Sequence, residues 1–165
     1  KILHLTLKEF NLLSKPIESS DTVKVHSIAH WYCSLIKFRF GKLSSDLKRR
    51  KTIASIYAKN LDKKVLSSKI VQQFSVSSNL RFPIFVKSRE NLIKCLEEKS
   101  IFVSDIWYDA PIGPKKYLRL TNYKNQCPNA EVISNQILNL PTHQNVSESQ
   151  ADKICQKINE WLRLQ

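Results

Sequence analysis

The sequence predicts an α+β fold: a small, mostly antiparallel sheet with helices packed on it. Three observations carry this. A strand–helix–strand pattern runs from Arg81 to Tyr108. Amphipathic helices flank it, one from Leu43 to Leu61 and one closing the chain. A further short strand, Ile137–Leu140, stops at Pro141. Strands and helices in this order imply a sheet with helices on one face.

The elements follow in chain order. In residues 1–21, Leu3, Leu5 and Leu7 alternate as in a strand, while Leu5, Leu12 and Leu13 suit a helix, so both readings stay open. Ser19, Ser20 and Asp21 can cap a helix. Val25, Ile28, Ala29, Tyr32 and Ile36 recur at helical spacing, and Gly41 ends that helix. Leu43, Leu47, Ala54, Tyr57 and Leu61 form a stripe on the next helix, with Ser44 or Ser45 as cap. Residues 62–78 are polar and Ser-rich, and read as a loop with a strand around Ile70–Phe74. "RFPIFV" (Arg81–Val86) is a strand that Pro83 confines to an edge, because proline cannot donate to a ladder. Ser88 caps a helix through Lys99 with Leu92, Leu96 and Cys95 inward, and Ser100–Tyr108 returns as a strand. Residues 109–127 read as an extended loop. Pro128 suits the first turn of a helix over "PNAEVISNQ". After Ile137–Leu140, Ser147 with Gln150 three residues on forms a capping box. Ala151, Ile154, Ile158, Trp161 and Leu162 give the last helix its buried stripe.

Composition narrows the function classes. The chain has 165 residues, enough for one ordinary domain with a real core. Its 42% hydrophobic and 9% aromatic content argue against disorder. No apolar run reaches the roughly 18 residues of a membrane span; Lys37 and Arg39 interrupt the closest, "WYCSLIKFRF". No signal-peptide pattern opens the chain, and a chain beginning "KILHLT" without any Met reads as an internal piece of a longer one. Cys33, Cys95, Cys127 and Cys155 form no CxxC, so free thiols in a reducing cytoplasm are expected. With Gly41 and Gly113 as the only glycines, GxGxxG and the P-loop are excluded.

The net charge of +13 is uneven. Residues 1–65 carry 14 Lys/Arg against 5 Asp/Glu, and residues 66–165 carry 13 against 9. Such asymmetry invites a polyanion, and it equally suits a lysine-rich solvated surface. The run Lys48–Lys51 could meet phosphates or lie on a solvated helix face. Trp31, Tyr32, Phe38 and Phe40 beside Lys37 and Arg39 loosely resemble a stacking platform for single strands, though core or interface is the commoner use. His26 and His30 stand four apart, but no Glu follows His26 as HExxH requires and no third ligand is near. Two S-x-x-K spacings, Ser34/Lys37 and Ser45/Lys48, lack the desolvation that a lysine base needs.

Three longer stretches resemble the C-terminal part of the DegT/DnrJ/EryC1/StrS family of PLP-dependent, fold type I aminotransferases, from about Ser27 onward. "LKRRKTIASIYAKNL" is similar to the family's linker helix, with Arg50, Ala54, Tyr57 and Leu61 on its pattern. "FPIFVKSRENLIKCLEEKSIFVSDIWYDAPI" is similar to its strand–helix–strand. "CPNAEVISNQILNLPTHQNVSESQADKICQKINEW" is similar to its close, with the "NLPTH" block the most specific part. The order and spacing of the three matter more than any one of them. Departures are Ser100 where family members usually have Gly, and Pro111-Ile112-Gly113 where many sugar aminotransferases place a His after the proline.

The resemblance implies that residues 1–42 are a lead-in and helix linking to a large domain, and that residues 43–165 are the C-terminal small domain. It implies a cytoplasmic parent enzyme, a homodimer, moving an amino group from an amino-acid donor to a keto group, often on a nucleotide-sugar. It implies pyridoxal 5′-phosphate (PLP) in that parent. In the family, the Schiff-base lysine, the Asp at the pyridinium nitrogen and the aromatic covering the ring lie in a large N-terminal domain, so this chain alone is expected neither to hold the cofactor nor to transaminate. No catalytic, cofactor-binding or metal-ligating residue is assigned. Trp107, Tyr108 and His143 are the expected substrate-facing residues, with packing aromatics and a surface imidazole as the alternative. The rival functions are a basic nucleic-acid-binding module and a degenerate, non-catalytic interaction domain.

Overall fold

The computed structural model describes residues 27–103, 110–112 and 115–165. Contacts divide the chain into two compact units, Lys1–Phe38 and Arg39–Gln165. In the first, helix α1 (His30–Gly41) begins and runs across the boundary, ending at the expected glycine. Its apolar residues point all round the axis, and none is buried. The Trp31 and Tyr32 rings stack with centroids 4.0 Å apart.

The second unit holds α2 (Leu43–Asn60), a 3₁₀ turn (Lys63–Val65), α3 (Ser68–Gln73), β1 (Arg81–Phe85) and α4 (Arg89–Glu97). After a second 3₁₀ segment (Lys115–Leu120) come α5 (Pro128–Gln136), β2 (Ile137–Pro141) and α6 (Glu148–Arg163). The fold is α+β. Among the described residues the sheet is two-stranded and antiparallel, with Phe82 opposite Leu140 and Ile84 opposite Leu138. Pro83 lies opposite Asn139, and among the described residues β1 has one unpaired edge, the setting that a residue without an N–H requires. Phe82, Ile84, Leu138 and Leu140 turn into one core with α2, α4 and α6. The helical stripes supply the rest: Ile53, Ala54 and Tyr57 from α2, Leu92, Ile93 and Leu96 from α4, and Ala151, Ile154 and Ile158 from α6.

Four local expectations need correction. Residues 70–74 are not a strand: Ile70 and Phe74 sit one turn apart on and just after α3, both half-buried against the core. The spacing of four outweighs their β-propensity. Ser44 and Ser45 do not cap α2. The helix begins before them at Leu43, and the Ser45 hydroxyl donates to the Lys42 carbonyl at 2.7 Å. Ser88 precedes α4 without a side-chain cap bond. The returning strand does not begin at Ser100. Ser100 takes φ 59°, and the Ile101 N–H turns back to the Leu96 carbonyl at 2.9 Å. That is the helix-ending αL turn that favours glycine, here carried by serine. Residues 101–103 are irregular, and residues 104–109 fall outside the described residues.

The cap of α6 is as expected. The Gln150 N–H donates to Ser147 Oγ at 3.1 Å, and the Ser147 N–H donates to Gln150 Oε1 at 2.8 Å. Ser147→Ala should therefore cost roughly 1 kcal/mol, and Gln150→Ala less. Equal denaturation midpoints for wild type and Ser147→Ala would show that this cap contributes nothing.

All four cysteines are free, with Cys33 and Cys127 exposed and Cys155 buried. Burial pushes the Cys155 thiol up to about 12, helped by the negative charge of Asp152. Since the thiolate is the nucleophile, iodoacetamide at neutral pH should label Cys33 and Cys127 and spare Cys155. The pH dependence follows with its sign. Below pH 9 the thiol is protonated in both states and contributes nothing to pH dependence. Between 9 and about 12 only the unfolded thiol ionises, so stability falls by about 1.4 kcal/mol per pH unit from this group. Cys155→Ala should remove that component from alkaline unfolding curves.

Candidate functional site

The loop after β2 is held by more polar contacts than its length suggests. Thr142 is fully buried, and its hydroxyl donates to the Asn79 carbonyl at 2.5 Å. Arg50 Nη1 donates to the Leu80 carbonyl at 3.0 Å and reaches Thr142 Oγ1 at 3.4 Å. The Tyr57 hydroxyl donates to the Pro141 carbonyl at 2.9 Å. Arg49 Nη2 donates to the Val146 carbonyl at 2.8 Å, and its Nη1 lies 3.9 Å from Glu148. The Val146 N–H closes the turn on the His143 carbonyl at 3.0 Å. Three α2 side chains thus fix residues 141–146 from below. Burial, aided by Cys155, raises the Tyr57 pKa well above the usual phenol value, so Tyr57 stays a neutral donor.

The half-buried His143 projects from this clamped loop into a cavity of 310 Å³. Ser100, Phe102, Pro141, Gln150 and Lys153 share its lining. Its walls are the turn after α4, the end of β2 and the first turns of α6. Histidine can move a proton near neutral pH, and the lysine ammonium and the Gln150 amide add donors. The arrangement can bind and orient a polar or anionic group. Of the three expected site residues, the structure places His143 here. Trp107 and Tyr108 lie outside the described residues, in the segment that Phe102 leads into two residues on. Sequence reasoning missed Ser100, Phe102, Gln150 and Lys153. The glycine-to-serine departure at Ser100 was the one signal in the sequence at that wall.

The other sequence candidates are not assembled. His30 is exposed on α1, and His26 lies outside the described residues. Among the described residues no group of three His, Cys, Asp or Glu could hold a metal ion. Ser34 and Lys37 are both exposed, as are Ser45 and Lys48. Among the described residues no helix is long and apolar enough to cross a membrane.

The family model for DegT/DnrJ/EryC1/StrS aminotransferases matches residues 27–159. The chain belongs to this family. Two solved structures agree in fold. DesV of S. venezuelae, in complex with a ketimine intermediate, superposes with TM-score 0.65 at 20% identity, covering 90% of this chain and 40% of its own. A DegT/DnrJ/EryC1/StrS aminotransferase from Brucella abortus superposes with TM-score 0.67 at 22% identity, covering 97% of this chain and 43% of its own. This chain therefore spans about two fifths of the length of each. No curated protein matches it.

The family is PLP-dependent, and a PLP aminotransferase needs a lysine that can be held neutral by desolvation. Among the described side chains every lysine is exposed except Lys157, which is half-buried and bonded to Glu160 at 2.6 Å. Lys153 lines the cavity but is itself exposed. No lysine among the described side chains is buried.

Proposed function

We propose that this chain is the C-terminal domain of a PLP-dependent aminotransferase that moves an amino group from an amino-acid donor to a keto group. The keto group of a nucleotide-sugar is the substrate class that the family suggests. The large domain of the parent brings the Schiff-base lysine, and PLP bound there supplies the electron sink. The parent works as a cytoplasmic homodimer. Residues 1–42 link to the large domain, and residues 43–165 close one wall of the substrate cleft, with His143, Trp107 and Tyr108 facing it. The observation that carries this reading is His143 on a rigidly held loop, across a cavity from the segment that leads to Trp107 and Tyr108. It stands together with the family match over residues 27–159.

Two measurements test it. The chain alone, given PLP, an amino donor and a keto acid, should fold but transfer no amino group. Borohydride reduction at high salt should leave no lysine labelled stoichiometrically, because screening removes the attraction of the cofactor phosphate to exposed lysines. One lysine labelled stoichiometrically, with amino transfer, would show a self-sufficient site. In an enzyme comprising both domains, His143→Ala should raise KM for the keto substrate with little loss of stability. Unchanged kinetics would remove His143 from the cleft.

A further inference from the structure

The geometry points to a second site on the opposite side of α2: we propose that its lysine-lined groove binds single-stranded nucleic acid through the phosphate backbone. Residues 42–75 carry 9 Lys/Arg against 2 Asp/Glu. The helix sorts these cations by angle. Arg49 and Arg50 flank the buried stripe of Ile53, Ala54 and Tyr57 and are bonded to carbonyls. Lys48, Lys51 and Lys59 fall together with Thr52 and Ser55 on the other face, three to four residues apart. All three lysines are exposed, as are Lys63, Lys64 and Lys69 just beyond. Asp62, one of the two acids, is occupied by the Lys64 N–H at 2.8 Å.

This face holds a shallow, open depression. A groove of 490 Å³ runs along α2 against Phe74 and Ser75, with Lys51 and Lys59 among its lining residues. Eight residues of helix set these two lysines ~12 Å apart along the axis. Between them lie the Thr52 and Ser55 hydroxyls, which can donate to phosphate oxygens. Ile56 and Phe74 are half-buried in its lining. Apolar groups so placed suit a base entering the groove, whereas a membrane surface would need them to protrude. A cationic track with an aromatic in its floor is how proteins hold single strands without reading sequence.

The test measures binding of the full chain to a fluorescent single-stranded oligothymidylate by anisotropy, across a salt series. The Lys51→Gln/Lys59→Gln double variant should bind more weakly, and its slope of log affinity on log salt should fall by about 1.4, from about 0.7 per lost phosphate contact. Phe74→Leu should weaken binding and leave the slope unchanged, with a thermal melt confirming its fold. Lys94→Gln/Lys124→Gln removes the same charge from elsewhere and should bind as wild type. Equal losses in the two double variants would mean attraction by net charge alone and would overturn the proposal. Duplex binding as tight as single-strand binding would overturn the single-strand assignment. Retention on phosphatidylcholine/phosphatidylserine vesicles, lost in the groove variant, with no oligonucleotide binding, would replace nucleic acid by a membrane surface. These outcomes are independent of amino transfer.

Discussion

Phe82→Ala is expected to destabilise the second unit by roughly 3–5 kcal/mol, the range for removing a large aromatic from a closed core. Phe82 is fully buried in the middle of the two-stranded sheet, opposite Leu140. Its ring lies 5.5 Å from that of Tyr57 at a tilt of 48°, a geometry that adds to simple area burial. Truncation leaves a void between β1 and α2 that the sheet cannot collapse to fill, because β2 is tied on its far side to α2 by the Tyr57 hydroxyl. Domains of this size hold only about 5–15 kcal/mol in total, so the variant should be largely unfolded at modest denaturant. The contrast is Phe40→Ala on α1, at 72% exposure, which should change the unfolding free energy by less than about 0.5 kcal/mol. If the two variants melt alike, the core does not lie where β1 places it.

The parts of the fold that the sequence disclosed are those set by period and by caps. The stripe of α6 appears as read except that Leu162 is only half-buried and Cys155 joins it, and the capping box appears as read, because side chains four apart and a Ser-x-x-Gln start are local facts. Phe82 and Ile84 could be read from alternation in a five-residue strand with a proline. Misreadings arose where local chemistry had two outlets. Ile70 and Phe74 are β-formers, but their spacing let a short helix seat both on the core. Ser44 and Ser45 have capping side chains, yet the helix started one residue earlier and needed neither.

The site was less legible than the fold for a physical reason. Its residues meet only through tertiary contacts between segments up to about a hundred residues apart, such as Arg49 with Val146. In the sequence, Lys48–Lys51 is one run of positive charge. In the structure the helix turns it into two functions: Arg49 and Arg50 are spent on backbone carbonyls, and Lys48 and Lys51 remain in solvent. Arginine suits the first role because its planar fork satisfies several acceptors at once and stays charged when partly buried. His143 could be singled out beforehand through the "NLPTH" block. Lys153 and Gln150 could not, since their own helix shows them only as polar-face residues.

The same clamp yields the second large expectation. Thr142→Val keeps the shape of the side chain and deletes one hydroxyl. The site is fully buried, so the Asn79 carbonyl, 2.5 Å away, loses its donor with no water to replace it. An unsatisfied buried group costs about 1–3 kcal/mol, and two further groups are exposed to the loss. The Leu80 carbonyl sits 3.1 Å from the same oxygen, and Arg50 Nη1 loses its acceptor at 3.4 Å. Arg50 retains the Leu80 carbonyl, which caps the penalty. The expected cost is therefore about 2–3 kcal/mol, near the upper end of that range. Thr142→Ser restores the hydroxyl and gives up one methyl, and should cost only about 1 kcal/mol. Urea denaturation of the three proteins decides the matter. If Thr142→Ser is as damaging as Thr142→Val, the methyl and not the hydrogen bond holds the loop. If Thr142→Val is silent, residues 141–146 are positioned by Tyr57 and Arg49 alone, and His143 does not depend on this anchor.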